Sequence, residues 1–121
     1  MSKKVLVVED QTDIRKMMSI FLKLNGYEVI EAADGYEAVE VALEETPDLI
    51  LMDLAMPVLD GVYSTRAIRD NEDLADVPIV CVTAYGAFYN DRARAAGCND
   101  VLEKPIDFGK LDQLIQQHIS G

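Results

Sequence analysis

The chain alternates short apolar runs with longer amphipathic segments, and this alternation recurs five times along its 121 residues. Most of the runs are rich in Val, Ile and Leu, which is typical of strands that are buried on both faces of a sheet. The second run alternates weakly between polar and apolar residues, which indicates a strand at or near an edge. The predicted strands are 5–8, 28–32, 49–53, 79–83 and 101–102.

The segments between these runs carry apolar residues at helical spacing, and several of them end at a glycine or just before a proline. The predicted helices begin near Thr12, Asp34, Asp60, Phe88 and Asp107, and they end near Gly26, Thr46, Arg69, Gly97 and Ile119. In the first helix we expect Met17 to pack in the core with its apolar neighbours. In the second helix we expect Leu43 to face inward.

These connections decide the fold class. Strands that are joined by helices of this length pair in parallel through right-handed crossovers, and the helices cover both faces of the sheet. The predicted fold is therefore α/β, a doubly wound sheet of five parallel strands. The flavodoxin-like order 2-1-3-4-5 fits five strands best, and it makes the first and third strands neighbours. The sequence shows no repeat or linker, and residues 1–121 are predicted to form a single domain.

The composition excludes several classes of function. The net charge of −11 argues against direct nucleic-acid binding, which requires a basic surface. The sequence contains neither an apolar run long enough to span a membrane nor a signal peptide, so we expect no membrane insertion and a cytoplasmic location. The two cysteines, Cys81 and Cys98, are expected to be reduced structural thiols.

Charged and polar residues stand at the carboxyl ends of the predicted strands, where open parallel sheets bind their ligands. Glu9 and Asp10 follow the first strand and Asp53 ends the third, so we expect these acids in one pocket. Three crowded carboxylates favour a bound cation, and oxygen ligands that leave room for water suit Mg²⁺. Thr83 and Lys104 would add a hydroxyl group and a positive charge. Such surroundings favour a carboxylate that accepts a phosphoryl group.

Acids near helix starts have a simpler interpretation, because a carboxylate there caps the helix or is solvated. We apply this interpretation to Asp13, Asp34, Asp60 and Asp107. It does not account for the three acids at the strand ends.

Short motifs at these positions follow one another in a fixed order along the chain. They are Glu9-Asp10, Met52-Asp53, Met56-Pro57, Asp60-Gly61, Thr83-Ala84 and Lys104-Pro105. Together they closely resemble the receiver domain of two-component response regulators, and in particular the single-domain receivers of the chemotaxis-regulator type. The resemblance spans essentially the whole chain.

The resemblance implies a role for each site residue. Asp53 would be the phosphoacceptor, and it would bind Mg²⁺ together with Asp10 and the backbone carbonyl of Ala55. Glu9 would act on the metal ion through a water molecule.

The resemblance also assigns the groups around the phosphoryl group. Thr83 and Lys104 would hold phosphoryl oxygens, and the Lys104–Pro105 peptide bond would be cis. In similar receivers, part of the first helix and the loop after Lys104 dock a histidine kinase or a phosphotransfer protein.

The implied function is that of a phosphoacceptor in a two-component phosphorelay. Asp53 would take a phosphoryl group from a phosphohistidine donor with the help of Mg²⁺, and would lose it slowly by autodephosphorylation. Such a protein catalyses its own phosphorylation but is not a metabolic enzyme, and without an output domain it would signal to a downstream protein through surface contacts. The alternative is a pseudo-receiver, an interaction module that is not phosphorylated. Only Val101 favours it, because similar receivers usually have an aromatic residue there.

Overall fold

The computed structural model describes residues 2–56 and 59–119, so Pro57 of the predicted Met-Pro turn lies outside the described residues. The described strands are β1 (Lys4–Val8), β2 (Glu28–Ala32), β3 (Leu49–Asp53), β4 (Ile79–Thr83) and β5 (Asp100–Glu103). The helices are α1 (Thr12–Leu24), α2 (Gly35–Glu45), α3 (Gly61–Arg69), α4 (Gly86–Ala96) and α5 (Phe108–Ile119). All strand pairs are parallel, and the order β2-β1-β3-β4-β5 confirms the predicted topology.

The sheet has a separate apolar core on each face, because alternate residues of a strand point to opposite sides. Leu6 and Ile50 belong to the core beneath α2, α3 and α4, whereas Val7 and Leu51 belong to the core beneath α1 and α5. Every residue of β3 and β4 is buried. The continuous apolar runs in the sequence therefore reflect burial on both faces, as predicted.

Three of the four predicted helix-start acids cap their helices. Asp34 accepts a hydrogen bond from the backbone N–H of Glu37, and Asp60 accepts one from Val62. Asp107 caps α5 in the same way, by accepting from Gly109 and Lys110. The fourth acid, Asp13, is exposed in the first turn of α1, where a negative charge is favourable.

Two predictions of inward-facing side chains are wrong. Met17 is 53% exposed and Leu43 is 46% exposed. Consecutive helical residues are separated by only about 100°, so the apolar pattern does not decide which of two neighbours is buried and which lies at the edge of the helix–sheet contact. In α1 the buried neighbour is Met18, and in α2 it is Ala42.

The remaining elements agree with the sequence analysis apart from small shifts. Helix α4 begins at Gly86, earlier than the predicted start near Phe88, and a short 3₁₀ turn, Glu72–Leu74, lies in the predicted acidic loop. Cys81 and Cys98 are buried free thiols. None of the helices in the described part of the chain is long and apolar enough to cross a membrane.

Candidate functional site

The three predicted acids meet at the carboxyl edge of the sheet. One carboxylate oxygen from each of Glu9, Asp10 and Asp53 lies within 4.8 Å of the other two. This follows from the pairing of β1 with β3, in which Val8 lies opposite Met52, so that the residues after them emerge side by side. Glu9 and Asp53 are almost fully buried, at 1% and 4% exposure, and Asp10 is half-buried.

Lys104 brings a positive charge to the acids, as predicted. Its Nζ lies 3.0 Å from Glu9 Oε1 and 3.4 Å from Asp53 Oδ1. Its backbone N–H donates to the carbonyl oxygen of Thr83, which ties the loop after β5 to the end of β4. The Lys104–Pro105 peptide bond is cis, as the resemblance implied.

The electrostatics of the acid cluster follow from burial and from the number of charges. Burial raises the pKa of Asp53 to about 7, and the Glu9 carboxyl beside it contributes to this increase, while Lys104 acts in the opposite direction. Burial also opposes the ionisation of Glu9, but its hydrogen bond with Lys104 prevails and its pKa is lowered. The pKa of Lys104 is raised despite burial, because of Glu9 and Asp53. One ammonium group therefore faces more negative charge than it can neutralise.

An unsatisfied oxygen shows that a cation fits this site. Among the described residues, Asp53 Oδ1 is buried without a hydrogen-bond partner, since the Lys104 contact at 3.4 Å lacks hydrogen-bond alignment. Leaving a buried charged acceptor unsatisfied is costly, and a divalent cation would satisfy it. The candidate metal ligands are all carboxylate oxygens, and Asp10 is partly open to solvent, which leaves room for the water ligands that Mg²⁺ retains. Ala55 is exposed in the loop after Asp53, and the role of its carbonyl stays a prediction.

Thr83 lies fully buried at the end of β4. Its Oγ1 accepts a hydrogen bond of 2.9 Å from the backbone N–H of Tyr85, so the hydroxyl proton remains available for another acceptor. Tyr85 is exposed at the start of α4. A movement of the Thr83 hydroxyl group would therefore change a hydrogen bond at the start of α4.

One residue of the site was missed by the sequence analysis. Arg15 of α1 donates from Nη1 to the carbonyl oxygen of Glu9 at 2.8 Å and from Nε to Glu31 Oε1 at 2.9 Å. In the sequence, the only signal was an arginine on the first helix and a glutamate on the edge strand. The contact between Arg15 and Glu31 could be recognised only once the strand order had placed Glu31 beside β1.

An apolar groove of about 450 Å³ lies next to the acid cluster, between α1 and the loop after β5. It is lined by Ile14, Met17, Ala84, Lys104, Pro105, Ile106 and Phe108. The exposed Met17 that contradicts the core prediction therefore forms part of a surface groove.

Comparisons with known proteins agree with this arrangement. The sequence model of the family described as response regulator receiver domain matches residues 5–116. The polar-differentiation response regulator DivK of Brucella ovis is 34% identical over 120 residues, and the match covers 98% of each chain.

Two solved structures share the fold along nearly the whole chain. The receiver domain of the sensor histidine kinase PA1611 from Pseudomonas aeruginosa PAO1, with a magnesium ion coordinated in its active site cleft, is 36% identical, with a TM-score of 0.93 and 100% coverage of both chains. The receiver domain of Ssk1 from Saccharomyces cerevisiae, in complex with the histidine phosphotransfer protein Ypd1, is 32% identical, with a TM-score of 0.88 and coverage of 97% and 88%. The chain therefore belongs to the response regulator receiver domain family of two-component signalling.

Proposed function

We propose that this protein is a phosphoacceptor in a phosphorelay, and that Asp53 takes the phosphoryl group from a phosphohistidine of a histidine kinase or a phosphotransfer protein. The observation that carries the proposal is the surroundings of Asp53. It is a buried carboxylate with an oxygen that has no hydrogen-bond partner among the described residues, and a lysine at 3.4 Å and two further acids lie beside it. A structural acid has no need of such a costly environment, whereas a nucleophile with a cation partner does.

The residues at this edge fit Mg²⁺. Asp10, Asp53 and the carbonyl of Ala55 would hold the ion, and Glu9 would contact it through water. When bound, Mg²⁺ supplies positive charge that offsets the negative charge of the phosphoryl oxygens.

The chemical step uses residues of the chain itself. A carboxylate oxygen of ionised Asp53 forms a bond to phosphorus while the P–N bond of phosphohistidine breaks and the imidazole leaves. The Lys104 ammonium group shifts from Glu9 to a phosphoryl oxygen, and the Thr83 hydroxyl group donates its proton in a hydrogen bond to another. Later attack by water on phosphorus releases inorganic phosphate and restores the Asp53 carboxylate. No other part of the chain needs to react.

Incubation with Mg²⁺ and a small acyl phosphate tests the proposal. We expect intact-mass measurement to show one phosphoryl adduct on the wild-type protein and none on Asp53→Asn, because the variant lacks the nucleophilic oxygen. Asp91→Asn, which changes an exposed acid on α4, is the matched control and should still be phosphorylated.

A wild-type protein that stays unmodified would contradict the proposal and support the pseudo-receiver alternative. The sequence favours that alternative only through Val101, which the structure places half-buried on β5. An adduct that persists in Asp53→Asn would show that another residue accepts the phosphoryl group.

We also propose that the phosphohistidine donor docks in the apolar groove beside the site. The groove is apolar along α1 and reaches Lys104, so a helix seated there would bring its histidine to Asp53. The Ssk1–Ypd1 complex supports this type of partner. We propose a cytoplasmic location and an output to a downstream protein through surface contacts.

Met17→Glu should affect phosphorylation by a protein donor but not phosphorylation by a small acyl phosphate. The charge in the groove is expected to slow transfer from a histidine phosphotransfer protein about 10-fold or more, because it would be buried without a partner in the complex. Phosphorylation by the small acyl phosphate should be unchanged. Leu24→Glu, which changes another exposed apolar residue at the far end of α1, is the control. Equal effects of the two substitutions on the protein donor would exclude the groove as the docking site.

A further inference from the structure

We propose that Arg15 is a positioning residue for Glu9 and Asp10, and that it strengthens Mg²⁺ binding even though it carries a positive charge itself. The inference rests on the proposed function in one respect, which is that Mg²⁺ is the ligand of the acid cluster.

The contact of Arg15 with the backbone is the first reason. Its Nη1 donates to the carbonyl oxygen of Glu9 at 2.8 Å. That carbonyl belongs to the planar peptide unit that joins Glu9 to Asp10. A hydrogen bond that holds this oxygen therefore restricts the orientation of the backbone from which the Asp10 side chain projects.

Lys104 holds the Glu9 side chain, but among the described residues the backbone between β1 and α1 makes few other hydrogen bonds. The Glu9 N–H donates to Ala32 at the end of β2, which holds one side of the residue. Gln11, at the N-terminus of α1, makes no side-chain capping bond. Its backbone N–H reaches Glu9 Oε2 only at 3.3 Å. Arg15 thus supplies the short hydrogen bond to the peptide that carries Asp10.

Glu31 anchors the guanidinium group from the edge strand. Arg15 Nε lies 2.9 Å from Glu31 Oε1, and the two side chains are only 14% and 23% exposed. A guanidinium group can reach both partners at once because its donors form a rigid planar fork. Lys16 also contacts Glu31, at 3.2 Å, but its side chain is 60% exposed. Lys16 therefore offers the same charge in the same helical turn without the contact to Glu9.

Charge alone predicts the opposite effect. A positive group near a cation site repels the cation, so neutralising Arg15 should strengthen Mg²⁺ binding if Coulomb forces dominate. A positioning role predicts weaker binding instead, since partners that orient metal ligands commonly contribute about 10- to 100-fold in affinity. The direction of the change therefore separates the two explanations.

The experiment compares Arg15→Met, Arg15→Lys, Glu31→Gln and the control Lys16→Met by NMR titration with MgCl₂. We expect Arg15→Met to weaken Mg²⁺ binding about 10-fold or more. Arg15→Lys should recover little of this, because an ammonium group cannot bridge both partners. Lys16→Met should leave the affinity unchanged or slightly tighter.

Glu31→Gln tests the anchor. We expect the single substitution to weaken Mg²⁺ binding relative to the wild type. In a protein that already carries Arg15→Met, adding Glu31→Gln should cause no further loss of Mg²⁺ affinity, because the two residues act through one contact. Urea unfolding with EDTA checks that each variant is folded. If Arg15 only stabilised the fold, its substitution would lower the free energy of unfolding without changing the Mg²⁺ affinity of the folded protein.

The outcomes separate the inference from the proposed function. If the wild type does not bind Mg²⁺, the metal site of the proposed function is wrong. If the wild type binds Mg²⁺ and Arg15→Met binds it as well as Lys16→Met does, only the positioning role is overturned. Additive losses of Mg²⁺ affinity from Glu31→Gln and Arg15→Met would contradict the claim that Glu31 acts by holding Arg15 in place.

Discussion

Lys104→Met should slow the phosphorylation of Asp53 by a small acyl phosphate about 100-fold, the loss that is typical when one charge-stabilising group is removed from a reacting centre. In the structure, the ammonium group lies 3.0 Å from Glu9 Oε1 and 3.4 Å from Asp53 Oδ1. It is therefore already beside the carboxylate that would bond to phosphorus, where it can offset the negative charge of the phosphoryl oxygens. The measurement is the rate at which the adduct forms by intact mass at saturating Mg²⁺.

The same substitution should have the opposite effect on metal binding. Removing the ammonium group takes away a cation that competes for Glu9 and Asp53, so Mg²⁺ should bind at least as tightly as in the wild type. Lys110→Met, which changes an exposed lysine in the first turn of α5, is the matched control and should behave as the wild type in both measurements. Equal losses in the phosphorylation rate and in Mg²⁺ affinity would mean that Lys104 supports the fold of the site rather than the transfer.

Asp53→Asn should stabilise the protein in EDTA at about pH 8 by about 2–4 kcal/mol, because the pKa of Asp53 is raised in the folded state. The folded-state pKa of about 7 exceeds the ordinary value of 3.8, so the folded protein holds a proton that the unfolded chain releases. The stability that this proton contributes is complete below about pH 4 and is lost as the pH rises through about 7. A neutral amide avoids that loss.

The pH dependence makes this prediction specific. The advantage of Asp53→Asn should fall below about 1 kcal/mol near pH 4, because the folded-state carboxyl is then protonated and the unfolded chain, whose carboxyl is close to its ordinary pKa of 3.8, has released only part of its proton. The measurement is urea unfolding in EDTA at both pH values, with Asp91→Asn as the exposed control. Saturating Mg²⁺ at high pH should stabilise the wild type and not the variant. A stabilisation of equal size at both pH values would contradict a pKa near 7.

Some of the architecture could be predicted because the relevant patterns are local. Continuous apolar runs such as 49–52 require burial on both faces, and helical connections between them require parallel pairing. The order 2-1-3-4-5 then places the ends of the first and third strands side by side, which is why the meeting of Glu9, Asp10 and Asp53 could be anticipated. The helix caps Asp34, Asp60 and Asp107 were equally predictable, because a cap bonds only to its own helix.

Other features depend on contacts between distant parts of the chain. The structure pairs His118 Nε2, near the end of α5, with Asp100 Oδ2 of β5 at 2.7 Å, and this contact joins two elements whose packing the sequence pattern does not specify. Periodicity could not decide between Met17 and Met18, since both fall within the same apolar stripe. The direction in which α1 packs on the sheet made that choice, and it left Met17 in the groove beside the site.

The sequence by itself therefore determined the class of fold and the identity of the acids at the strand ends, because these follow from periodicity and from the handedness of the connections. It also indicated the order of the strands, because 2-1-3-4-5 is the common doubly wound order that fits five strands best. Only the tertiary structure decided the pKa values of the acids and the contacts that hold them in place. The raised pKa of Asp53 and the link from Glu31 through Arg15 to Glu9 arise from burial and from distances between side chains on different elements. Such quantities are defined only once the elements have packed.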